Sequence, residues 1–156
     1  MNNAPKTSAY TTLLIIYIGM LSGTIAFTFI SYFILAEPEP LFFKESHRDI
    51  LLVALVVATI CMSVSGFLWK KDIQLIQSLN TLEEKFAKYR SAMIKRLALM
   101  EGSAFFALIC YYLTSNIRLL VVALIIIVGF IFLWPGLSRV ARDIGESEEA
   151  IKNLQA

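Results

Sequence analysis

The chain has one histidine, two cysteines, four prolines and seven glycines in 156 residues, and its fourteen basic residues never gather into a block. Each scarcity excludes a class of function. A lone His47 gives no set of imidazoles for haem or zinc; in its polar stretch it reads as a solvated loop residue, with a pH switch as the alternative. Cys61 and Cys110 both fall in apolar runs, where a thiol behaves as a small hydrophobe, and two cysteines cannot supply a disulfide framework. Lacking a basic block to follow a phosphate backbone, the chain is not expected to bind nucleic acid. No nucleophile with a base, no paired acid and base and no phosphate loop can be assembled from it, so neither an enzyme nor a cofactor nor a metal site is expected.

Apolar residues are what the chain has in excess: they make up 58% of it and the mean hydropathy is +0.70. Soluble proteins hold about 45 to 50%. The sequence therefore reads as an all-α integral membrane protein with the lipid bilayer as its first partner. A crossing helix needs about 20 apolar residues, and four stretches qualify: residues 10–35, 50–69, 97–115 and 117–134. The first is too long for a signal core of roughly 7 to 15 residues and lacks a small-residue cleavage site, so it reads as an uncleaved span. Between the last two only Asn116 and Arg118 are strongly polar, which demands a tight turn between antiparallel neighbours.

Orientation follows from Lys and Arg near the span ends. The stretch 70–96 holds Lys70, Lys71, Lys85, Lys88, Arg90, Lys95 and Arg96; the tail adds Arg139, Arg142 and Lys152, and the head Lys6. The other two connections hold only Lys44, Arg48 and Arg118, and Glu37, Glu39, Glu45 and Asp49 dominate the first of them. Both termini and the central connection are therefore expected in the cytoplasm, across a bacterial-type inner membrane. Pro38, Pro40, Phe42 and Phe43 would lie in an outer surface loop.

The central connection is not a flexible linker, because no Gly or Pro occurs between Phe67 and Gly102. Leu75, Leu79, Leu82, Phe86, Tyr89 and Met93 recur at spacings of four and three, the pattern of a helical packing seam. Turn chemistry is confined to Ser78, Asn80 and Thr81, and Thr81-Leu82-Glu83-Glu84 fits a capping box. Helix 2 is thus expected to run on to about Leu79 and helix 3 to start near Leu82. Together they would form a cytoplasmic helical hairpin over residues 70–96, whose seam could receive a partner or a second copy. One amphipathic helix lying flat on the inner leaflet is the alternative. After Pro135-Gly136, Ser138 would cap a short amphipathic helix ending at Gly145, and the tail, 138–156, would dock or fray.

Sliding the chain on itself sets Gly19 to Thr24 over Ala98 to Ser103, so Ser22 falls on Glu101. Two tandem hairpins related by an axis along the membrane normal would produce this. Small residues at helix-packing spacing are Gly19 with Gly23, Ala54 with Ala58, and Gly102.

Glu101 is the residue that calls for an explanation, since a carboxylate among spanning residues is costly and a functional candidate by default. The segment from Arg90 through Lys95, Arg96, Leu97, Met100, Glu101 and Gly102 to Ile109 resembles the carboxylate helix of ATP synthase rotor proteolipids, the c-type subunits. That resemblance implies a proton or sodium ion bound at Glu101, with Ser22 and Ser103 as candidate neighbours. The structural reading is different. Glu101 lies about 7 Å inward of Arg96 at 1.5 Å per residue, near the cytoplasmic edge, where Lys70, Lys71, Lys95, Arg96 or Arg139 could pair with it and set the register of the bundle. The chain is thus expected to be a structural or interaction subunit of a membrane assembly or homo-oligomer. The alternative is an ion-binding transport subunit working through Glu101.

Overall fold

The computed structural model describes residues 9–35 and 48–153. The loop expected at 36–47, with His47, Phe42 and Phe43, lies outside the described residues, as do Lys6 and the last three residues. The described residues form helices and no strand: α1 (Ala9–Ile30) closing in a π-helical turn (Ser31–Leu35), α2 (Arg48–Gln77), α3 (Leu82–Thr114), α4 (Ile117–Phe132), α5 (Leu137–Ile144) and α6 (Glu148–Asn153). Three of these helices are long and apolar enough to cross a membrane, or four if α4 and α5, bent by 75° at their junction, count as one span.

Local chemistry places the turns. Thr81, in extended backbone, accepts from the Glu84 N–H and starts α3. Ser115 takes a left-handed conformation (φ 54°) at the end of α3, and Asn116 accepts from the Arg118 N–H to start α4, so two residues reverse the chain. α5 begins at Leu137 behind Gly136, with Ser138 inside it rather than capping it, and the Ser147 hydroxyl accepts from the Ala150 N–H of α6.

α3 is the hub. Half of its most apolar stretch is buried, against 17% for α1 and for α2, and α1, α2 and α4 all pack on it while α1 and α2 scarcely meet. Gly23 lies against Glu101 and Phe27 stacks edge-on against Phe105 at 5.2 Å, so α1 runs parallel to α3; Trp69 meets Arg96 and Asp72 meets Lys95 at 3.6 Å, so α2 runs antiparallel to it. The Tyr17 hydroxyl donates to the Phe130 carbonyl at 2.7 Å and the Tyr10 hydroxyl to that of Pro135 at 3.0 Å, so α4 runs against α1. The Phe130 carbonyl also accepts from the Leu133 N–H at 2.8 Å, and Arg139 donates to the Phe132 carbonyl at 2.7 Å, so side chains from α1 and α5 satisfy backbone oxygens at and just beyond the end of α4.

Where the sequence offers five small residues for packing, the chain uses two. Ala54 and Ala58 are buried, on one stripe of α2 with Ser65 and Ile76. Gly19 and Gly102 face open space, and Gly23 meets nothing but Glu101. The reason is that α1 turns a different stripe inward: Leu13, Tyr17, Thr24 and Thr28, whose threonine hydroxyls donate to the Met20 and Thr24 carbonyls and so bury without an unmet polar group. Ala54→Leu is accordingly expected to wedge α2 off α3, costing about 1 to 3 kcal/mol, measured by unfolding in a denaturing detergent. Val53→Leu and Val56→Leu, on the exposed side of α2, should leave the midpoint unmoved.

Candidate functional site

Glu101 projects where α3 meets α1. A side chain begun at Gly23 would meet its Oε1 at 3.9 Å. Gly23 lies close to the middle of the 25-residue apolar stretch Ala9–Phe33, so on its neighbour's scale the carboxylate sits near mid-height, deeper than its distance from Arg96 implies. The helix is half-buried there, and the surrounding surface is made of Gly19, Ser22 and Gly23 from α1 with Ala98 and Gly102 from α3, all exposed.

None of the five expected cations reaches it. Lys95 pairs with Asp72, Arg139 with Asp143 at 4.0 Å and with the Phe132 carbonyl, and the Arg96 guanidinium stacks 4.8 Å from the centre of the Trp69 ring. Lys70 and Lys71 are exposed on α2. Among the described residues, Glu101 makes no hydrogen bond or ion pair, and no charged group lies close enough to act on it. The geometric cause is rotation: α3 turns Arg96 toward α2 and α4, while Glu101, five residues on, emerges about 140° around the helix at 100° per residue.

The expected ion-binding triad does not converge either. Ser103, two residues beyond Glu101, is carried to the opposite side of α3, where it is buried and donates to the Met100 carbonyl at 2.8 Å. Ser22 is exposed beside Gly23 and donates to the Gly19 carbonyl at 3.0 Å. No three His, Cys, Asp or Glu side chains come together among the described residues.

The seam proposed for a partner is used by the chain itself. Phe86, Tyr89 and Met93 are buried, Leu79 and Leu82 half-buried, and only Leu75 is broadly exposed, at 48%. They are covered because the tail folds back: Val140, Ile144 and Ile151 are fully buried in the same core, and Lys85 reaches Glu146 at 2.6 Å.

A second polar cluster forms at this end of the bundle, and its logic is not legible in the sequence. Trp69 is held between Tyr89, at 5.4 Å and 72°, and Arg96. Arg139 and Asp143 of α5 lie within electrostatic reach of Arg96, and Arg142 approaches Asp143 at 3.8 Å. Burial pushes the Asp143 carboxyl above its ordinary value, and Arg139, Arg142 and Arg96 oppose that rise. An aromatic beside a cation near a span end was the available signal; that α5 folds back over it was not.

No protein-family model, curated protein or solved structure matches the chain.

Proposed function

We propose that the chain is a four-span subunit of a bacterial-type inner membrane, with both termini and the α2–α3 turn cytoplasmic, that assembles with copies of itself along the α1/α3 face around Glu101. The observation that carries this is that Glu101 has no partner among the described residues of its own chain and sits amid exposed small residues. An ionisable side chain at that depth is expensive if left facing lipid, and Gly and Ala let helix backbones approach closely. A second copy would cover the carboxylate and the small-residue stripe at once, and the Ser22 hydroxyl on the same face offers it a polar neighbour. The orientation rests on the basic residues at the α2–α3 end and in the tail. α4 with its continuation to Trp134 covers about 27 Å at 1.5 Å per residue, close to the thickness a crossing needs, and α5 bends away from it into the cytoplasm. For the tandem repeat, the parallel alignment of α1 with α3 is in favour; the loose α1–α2 pair is not, because α3 and α4 pack closely.

Gly19→Leu and Gly102→Leu test the assembly, since each adds bulk to space that is empty in the single chain. In lipid nanodiscs or mild detergent the wild type is expected as an oligomer and both variants as monomers with unchanged helix content. A monomeric wild type, or variants that still associate, would remove this reading. The second reading, an ion site at Glu101, is favoured by the same unpaired carboxylate and by the rotor-like segment, and it predicts proton or sodium flux.

A further inference from the structure

Beside Arg96, between α2, α3 and α4, lies a groove of about 160 Å³ lined by Met62, Ser65, Arg96, Met100, Gly129 and Leu133. Its walls are apolar apart from the Ser65 hydroxyl and the guanidinium, and Met62 is 44% exposed, so the groove opens toward the surrounding lipid. At its mouth the charges do not balance. Among the described residues, Arg96, Arg139 and Arg142 all act on one carboxylate, Asp143, while Asp72 is engaged by Lys95. Arg96 makes no hydrogen bond among the described residues, and its Nε is buried without a partner. A guanidinium has five N–H donors in a planar fork and no acceptor of its own. Stacking on Trp69 orients that fork and satisfies none of its donors.

The geometry points to a binding site for one anionic phospholipid, its phosphate held by Arg96 with Arg139 beside it and an acyl chain laid in the groove below. A phosphate presents paired oxygens that match the guanidinium fork, and basic pockets between helices at the inner surface suit anionic headgroups. A water-soluble phosphate would meet the same donors but would leave the apolar groove empty, which is why a lipid is the occupant. The site rests on the bundle lying in the bilayer. It does not rest on the Glu101 contact, which is on another face of α3.

Native mass spectrometry of the intact chain in mild detergent, with phosphatidylglycerol, phosphatidylcholine or glycerol phosphate added, tests it. The wild type is expected to retain one phosphatidylglycerol and neither of the others. Arg96→Gln should weaken that retention roughly tenfold or more, the loss of a charge-assisted hydrogen bond, and Arg96→Lys should recover part of it. Lys71→Gln, on the exposed side of α2, should not change it. Equal retention of phosphatidylcholine, displacement of the lipid by glycerol phosphate at similar concentration, or undiminished retention by Arg96→Gln would each overturn the site. Should Arg96→Gln fail to fold, the wild-type comparison among the three additives still decides, and retention is scored on monomer and oligomer alike.

Discussion

Ile144→Asp is expected to unlatch the C-terminal helices and to cost about 3 kcal/mol or more. Ile144 is fully buried and belongs to the same core as Val140, Ile151 and the α3 residues Phe86, Tyr89 and Met93. Truncating such a side chain alone costs about 2 to 5 kcal/mol. An aspartate adds a carboxylate beside Asp143, and the cheaper course for the chain is to swing α5 and α6 out into water. The Lys85–Glu146 pair cannot hold them, because a partly exposed ion pair contributes at most about 1 kcal/mol. Released, the tail should be cut by trypsin after Arg139 and Arg142, where the wild type resists, and the bared seam should make the protein aggregate on heating. Ile144→Val should cost only about 0.5 to 1.5 kcal/mol and keep the tail protected. A tail that stays protected in Ile144→Asp would show that α5 is held by something other than this apolar contact.

Glu101→Leu is expected to act in two directions at once, favouring the single chain and weakening the assembly. Removing a carboxylate from the interior of a spanning helix relieves roughly 2.5 to 3.5 kcal/mol of insertion cost, and the leucine has open surface to occupy. Polar contacts between membrane helices contribute about 0.6 to 2 kcal/mol, so losing this one should raise the dissociation constant of the oligomer by up to about tenfold or somewhat more. Glu101→Gln separates the two readings of the site. It keeps the shape and the hydrogen-bonding capacity, so assembly through this face should largely survive, whereas a carboxylate that takes up and releases an ion cannot be replaced by an amide. Wild-type proteoliposomes that pass neither protons nor sodium under a gradient would discard the ion reading. Loss of flux in Glu101→Gln, with the oligomer intact, would establish it over simple assembly.

How far the sequence reached differs from element to element. The α2–α3 hairpin could be placed to within two residues because Thr81, Glu84 and the lack of Gly or Pro on either side are local signals. The reversal at Ser115 and Asn116 was visible for the same reason. For α5 the sequence indicated a short amphipathic helix but not its docking, since a stripe of Val140, Ala141 and Ile144 says that something is covered without saying by what.

What the sequence by itself determined is the all-helical class, the apolar stretches, the asymmetry of basic residues and the anomaly of Glu101, all properties of composition or of a few neighbouring residues. What only the tertiary structure decided is which side of each helix faces protein. α1 is apolar all round, so hydropathy carries no contrast between a lipid-facing and a buried stripe, and the choice fell to side-chain shape and to Thr24, Thr28 and Tyr17. That choice turned Gly19 and Gly23 outward. The rotation of α3 sent Arg96 toward Trp69 and away from the carboxylate, and α5 drew Arg139 to the end of α4. Those rotations and dockings leave Glu101 without a partner among the described residues, and they depend on contacts between residues far apart in the chain.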